Sequence, residues 1–368
     1  MKKIILSLSI LVGLMAVSCE RADLPQEQNA DNDNSLMRRQ RQSSMFNYIQ
    51  STRIDNGVNC ENNILIFPSW NHYWETVDRL DQMVERDCDV FDSNLPNNIS
   101  EDRYNTLADA AGFDEDNVLR RFEEDLAFCS LRSKIESLER VWLSRQGDRG
   151  WDANADPDNH FIQDQAERAL LSSNGEVIVN DEKRGYVYYK FLNDKGNRIE
   201  VINNDLKAIS QVSQGKIPTE NPNVIVVTPG TTRASYGCRT MLYEGSYEFS
   251  GLYAIKRNSR VEHPHWFSPS KIISKTRGYK KINGVWRPRR LLIAVGINGQ
   301  SSNTSGTAYV NCNQERTLHL FKEKRRRVLS VKTTNPLFSL QYFGIRDNKL
   351  YSYHRLYNIT VNKDFYDM

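Results

Sequence analysis

The chain has 368 residues, 39% of them hydrophobic and 10% aromatic, a length and composition that exclude a disordered or fibrous protein and leave room for two ordinary cores. The formal net charge of +3 excludes a polyanion or polycation as a whole, but it conceals a division. Residues 20–230 carry 23 Lys and Arg against 38 Asp and Glu, net −15, while residues 231–368 carry 24 against 8, net +16; an asymmetry of this size is a statement about partners.

Met1-Lys2-Lys3 precedes an apolar run from Ile4 to Val17, the basic start and short apolar stretch of a secretory signal, too short to span a bilayer as a helix. The run ends Ala16-Val17-Ser18-Cys19. This resembles the lipobox of bacterial lipoproteins, in which the cysteine thiol takes a diacylglyceryl group and becomes the new N-terminus. Ala16 stands where leucine is usual. The resemblance implies lipidation of Cys19, with residues 1–18 removed. Residues 19–36, almost free of apolar side chains beyond Leu24, read as a flexible tether. The expected location is the cell envelope, lipid-anchored at the outer membrane, on its periplasmic face or the cell surface.

Residues 37–213 read as an acidic, mainly helical region. Ile64 to Phe67 is a short strand ended by Pro68. Trp74, Val77, Leu80, Val84 and Cys88 recur at helical spacing, with Ser69 or Asn71 as cap. A second piece carries Tyr104, Leu107 and Ala111 and stops at Gly112. Asp114 then caps a long amphipathic pattern, one helix or two end to end, striped by Leu119, Phe122, Leu126 and Cys129 and then by Leu131, Ile135, Leu138 and Trp142. Phe161 to Leu171 is a shorter helix. The period changes to two at Gly175 to Val179 and Tyr186 to Phe191, a hairpin. Asn193 to Gly196 turns the chain into the segment Arg198 to Ile202, and residues 205–212 form a last helix. The order Asp156-Pro157-Asp158, Leu170-Leu171, Gly175-Glu176-Val177 and the tyrosine-rich strand to Phe191 resembles a group of exported Bacteroidota proteins over residues 62–212. That group has no established activity, so the resemblance implies location and architecture and gives no residue a role.

Residues 214–236, with Pro218, Pro222, Pro229 and two glycines around Val224 to Val227, read as a linker. Residues 237–368 read as a basic all-β domain, a sandwich or small barrel, making the whole chain α+β. Asn283-Gly284 between apolar alternations is a hairpin turn. Leu291 to Val295 is a buried strand, Gln300 to Gly306 a loop, and Val328 to Lys332, Leu337 to Phe343 and Tyr351 to Val361 are further strands. Cys238 and Cys312 are the first candidates for a disulfide in an oxidising compartment. Cys88 and Cys129 either pair or are buried thiols, and the sequence leaves the pairing among Cys60, Cys88 and Cys129 open.

No catalytic motif and no cofactor site is present. Asp152, Asn154, Asp156 and Asp158 alternate like calcium-loop ligands, but Pro157 stands where glycine is needed and Gln163 replaces the bidentate glutamate, so a polar loop is the better reading. His263 and His265 lack a third metal ligand nearby. The strongest signal is basic. One cluster is Lys271, Lys275, Arg277, Lys280 and Lys281, continuing to Arg287, Arg289 and Arg290; a second is Lys322, Lys324, Arg325, Arg326 and Arg327. In a cytosolic protein these would point to nucleic acid. An exported lipoprotein meets instead an anionic glycan, a lipid headgroup or an acidic protein, and alternation on a strand would gather the charges on one sheet face. Against this stands neutralisation by the chain's own acidic half. The function expected is non-enzymatic: anion binding by the β domain, or structural and assembly contacts through the helices. An enzyme acting on glycan or peptide has no motif in its favour.

Overall fold

Helical and strand periodicities alternate along the first half of the chain and give way to strands alone in the second. The structure, a computed structural model, describes residues 46–53, 63–192, 197–228, 238–239, 242–262, 269–305, 315–336 and 341–368. The first sheet has the order β1 (Gln50–Arg53), β2 (Asn63–Phe67), β3 (Glu176–Asp181), β4 (Gly185–Phe191), β5 (Arg198–Val201) and β6 (Val224–Val227). The apolar run of β6, inside the expected linker, therefore completes this sheet, pairing Val226 with Ile199. Alternation divides the sheet's two faces. Leu65, Phe67, Val177, Val187 and Tyr189 face helices α1 (Trp70–Ser93), α3 (Asn117–Asp125), α4 (Leu131–Leu143) and α5 (Gln165–Leu170). Ile64, Tyr188, Ile199 and Val201 face α6 (Leu206–Ser213) on the other side.

The helices begin at side-chain caps. Ser69 accepts from the His72 amide at the start of α1, Ser100 from Arg103 at α2 (Glu101–Ala110), Ser130 from Ser133 at α4 and Asp164 from Ala166 at α5. The long pattern after Asp114 is two helices, because Ala127 takes a left-handed φ of 47° and Ser130 restarts the chain as a cap. On α4 the buried stripe is Leu131, Arg132, Ile135, Glu139 and Leu143, and Leu138 is exposed. The hydrophobic pattern misplaces this face because two charged side chains lie on it. The helix expected from Phe161 starts only at Gln165, since Gln163 turns back to donate to the Asp158 carbonyl.

In the second half, β8 (Leu242–Ser250), β9 (Tyr253–Glu262), β10 (Lys271–Ile282), β11 (Val285–Pro288) and β14 (Val328–Thr334) form one sheet. A second joins β7 (Cys238–Arg239), β12 (Leu291–Ser305), β13 (Glu315–Arg326), β15 (Gln341–Arg346), β16 (Leu350–Leu356) and β17 (Ile359–Asp364). Ile255, Val261, Ile272 and Val331 of the first meet Ile293, Val295, Ile297 and Phe343 of the second in one apolar core. His354 is buried among Ser259, Ser274 and Thr276, with Thr276 Oγ1 2.8 Å from its Nδ1; burial first, and then Arg257, push its imidazole down to about 3. Asn283 and Gly284, both at positive φ, make the hairpin between β10 and β11. The polar stretch 300–305, expected as a loop, continues β12, because β13 and β15 pair with it on both sides. Phe46–Met368 form one compact unit.

Both β15 and β16 pair with the same edge of β12, and only Gln300 and Ser301 lie opposite Ile345–Lys349 between the two registers. Gly299 absorbs this bulge at φ 127°, and a Cβ there would overlap the Lys349 carbonyl oxygen, to which the Gln300 amide donates at 2.7 Å. Gly299→Ala should therefore lower stability by ~2 kcal/mol or more, whereas Gly215→Ala, at positive φ in open space, should cost less. Denaturant midpoints of the two variants check this.

Candidate functional site

Paired residues on neighbouring strands share a face, so the register of β9, β10 and β14 assembles Lys256, Asn258 and Arg260, then Lys271, Ile273, Lys275, Arg277 and Tyr279, then Val328, Ser330 and Lys332 on one side of the sheet. Three of the expected anion-binding residues, Lys271, Lys275 and Arg277, thus stand in one line. The helical half covers them. The turn Pro157–His160 begins at Asp156, whose carboxylate accepts from the Asp158 amide at 2.9 Å, and Pro157 fixes the first turn. This directs both carboxylates at the sheet. Asp158, fully buried, takes Lys256 Nζ at 2.7 Å, the Arg168 guanidinium on its other oxygen, and Lys275 Nζ at 3.5 Å. Asp156 accepts from Lys256 and from the Tyr247 hydroxyl. Gln163 accepts from Lys275, and Glu139 from Arg277 and from the Tyr279 hydroxyl at 2.9 Å. Of the alternating carboxylates of the loop, Asp156 and Asp158 are therefore held by the chain's own cations and Asp152 accepts from the Asn154 amide; no group of three metal-ligating side chains occurs among the described residues.

The same pairing extends to the margins. Lys271 meets Glu167 at 3.2 Å and lies 4.1 Å over the Trp74 ring; Lys332 is shared by Asp81 and Asp164. Lys324 reaches Glu85 and Asp89 on α1, and Arg326 reaches Asp92 at 2.7 Å. Arg327 meets Asp114 and Asp116, and its amide donates to Glu115. Arg290 and Arg289 meet Asp109, Lys280 meets Glu101, and Lys281 meets Asp148. Arg325 donates to the Ile99 carbonyl and stacks on Tyr104, and Arg287 is exposed on β11. Lys322 also meets Glu85, at 3.5 Å, so the thirteen residues of the two clusters form no single open patch. Lys256, Lys332 and Arg168, which belong to neither basic cluster, are as deeply engaged; only the Asp156-Pro157-Asp158 motif signalled the place.

Burial sets the electrostatics. Burial opposes ionisation of Asp158, but Lys256, Lys275 and Arg168 outweigh it and hold the carboxyl well below its usual range. Asp156, Asp158 and Glu139 balance Lys256, Arg168 and Arg277, which makes Lys275 the surplus cation. Burial, with Arg168, Arg277 and Lys256 close by, pushes its amine well below the usual lysine range. Burial raises Glu167 to about 7 and Asp81 to about 6 despite their lysines. A cavity of about 420 Å³ lies between helices and sheet, walled by eight acidic and eight basic side chains. Cys88 lies in its wall as a free buried thiol, raised to about 12 by burial. Cys129 is disulfide-bonded, so Cys88 and Cys129 do not pair with each other. Cys19, Cys312, the Cys238 side chain, His263 and His265 lie outside the described residues.

No family model and no curated protein matches the chain. Among solved structures it is weakly similar to a DUF4848 family protein from Bacteroides thetaiotaomicron, with a TM-score of 0.19 and 10% identity, over 85% of this chain and 100% of that one, too slight a likeness to carry a fold or an activity across. No helix among the described residues is long and apolar enough to cross a membrane.

Removing a buried charge strands its partners. Asp158→Asn should cost ~3–5 kcal/mol in urea unfolding, and adding Lys275→Met should recover part of the loss. The Glu167 carboxyl, raised when folded, binds its proton more tightly there than in the unfolded chain, so its contribution to stability falls as pH rises from about 4 to about 7. Glu167→Gln should therefore gain stability relative to the parent across that window, as unfolding midpoints against pH would register.

Proposed function

We propose that the chain is a non-enzymatic lipoprotein of a bacterial cell envelope, anchored through Cys19, whose basic β half is committed to its own helical half, leaving contacts with other proteins to the helical side. In this reading the two facing sheets are a β-sandwich that serves as a platform. One observation carries the proposal. At least thirteen of the 24 lysines and arginines after residue 230 are ion-paired with carboxylates between Asp81 and Glu167. An external polyanion would have to displace those carboxylates, several of them buried, and leave them unpaired at a cost of several kcal/mol each (~3–5). Leu138 and Val141, one turn apart on α4 and 45% and 48% exposed, support the helical side as a contact surface. The competing reading, an anionic glycan, lipid headgroup or acidic protein held by the β half, keeps Arg287 as its exposed cation.

Two measurements separate these readings. The full chain carrying Cys19→Ala should pass a sulfated-polysaccharide resin at low salt without retention; retention that salt reverses would restore the anion-binding reading. The same substitution should move the protein from the membrane pellet to the soluble fraction, and continued pelleting would contradict the anchor.

A further inference from the structure

We infer that the outer face of the β12–β13–β16 sheet is a binding platform for a neutral glycan chain, centred on Phe321 and Tyr353. These two residues lie directly opposite Gly296 on the strands that flank it. Strands two apart are separated by roughly 9.6 Å, yet the two ring centroids are 5.9 Å apart, so the rings lean towards each other over the glycine. A Cβ at Gly296 would stand 3.0 Å from the Leu320 carbonyl oxygen, 3.4 Å from the Tyr353 Cβ and 3.6 Å from the Phe321 ring; its absence lets the rings close. Phe321 is 52% exposed, and nothing among the described residues covers it.

One pleat away on each side lies a polar row. On one, Glu323 and Arg355 pair with each other across Ala294 and cancel in charge. On the other, Asn298 and His319 meet at 3.1 Å, with Tyr351 opposite Asn298 on the far strand. Sugar rings have C–H faces that settle on aromatic rings and a rim of hydroxyls that need donors and acceptors. An aromatic strip two rings wide between polar rails, one of them a charge-balanced ion pair, answers both needs. The core of a protein–protein contact is instead depleted in charged side chains, and a polyanion would find no net positive charge here. The inference goes beyond the anchoring and assembly reading and does not depend on it.

Affinity electrophoresis of the full chain carrying Cys19→Ala, in gels containing mannan, xylan, a β-glucan or starch, tests it. At least one of these neutral polysaccharides should retard the protein, with little change on adding salt. Phe321→Ala and Tyr353→Ala should each weaken the retardation on the order of tenfold with the thermal midpoint nearly unchanged, while Tyr186→Ala, exposed on the other half of the molecule, should leave it intact. Absence of retardation by all four, equal retardation of the two aromatic variants, or retardation abolished by salt would each overturn the inference. So would a dimer in sedimentation that Phe321→Ala dissolves, since it would give the face to a second copy of the chain.

Discussion

A carboxylate that water cannot reach must be satisfied by protein, and Asp158 is satisfied from two halves of the chain at once. Arg168 approaches from its own helical side, and Lys256 and Lys275 from the sheet. Around it the helical layer can sit on the β9–β10–β14 face in only one way, because every shift leaves a buried charge without its partner. Two ionised layers brought together gain little net energy, since desolvation consumes most of the Coulombic attraction. The apolar clusters supply the stability, and the ion pairs fix register and penalise alternatives.

The charge division along the sequence is thereby an internal property of the fold. Acidic helices and basic strands are opposed across one interface, and the cavity between them is walled by eight side chains of each sign. Lys275 marks the limit of the arrangement, a cation in excess of the carboxylates within reach and driven by burial towards its neutral form. The outer side of α4 and the aromatic strip over Gly296 take no part in that interface.

Much of the architecture was legible. The cap at Ser69, the turn at Asn283-Gly284 and the alternation of Tyr186 to Phe191 are local signals, and local physics decides them. The misplacements have a common origin in contacts distant along the chain. Glu139 is buried because Arg277 and Tyr279 meet it, so no periodicity scale puts it inside. Gln300 to Ser305 is strand because two neighbours pair with it, which its polar composition cannot announce. Val224 to Val227 reads as linker until β5 is known to lie beside it. Lys271, Lys275 and Arg277 do share one face of β10; what covers that face depended on the folding of residues roughly a hundred positions earlier.

Buried pairs that salt barely screens join the helical layer and the basic sheet into one cooperative unit. Hydrogen exchange of the full chain measures this directly. Amides of α1 and α4 should share the slow class of β9 and β10, at low and at molar salt alike. Helical amides that exchange far faster than those of the sheet, or that lose protection as salt rises, would contradict it.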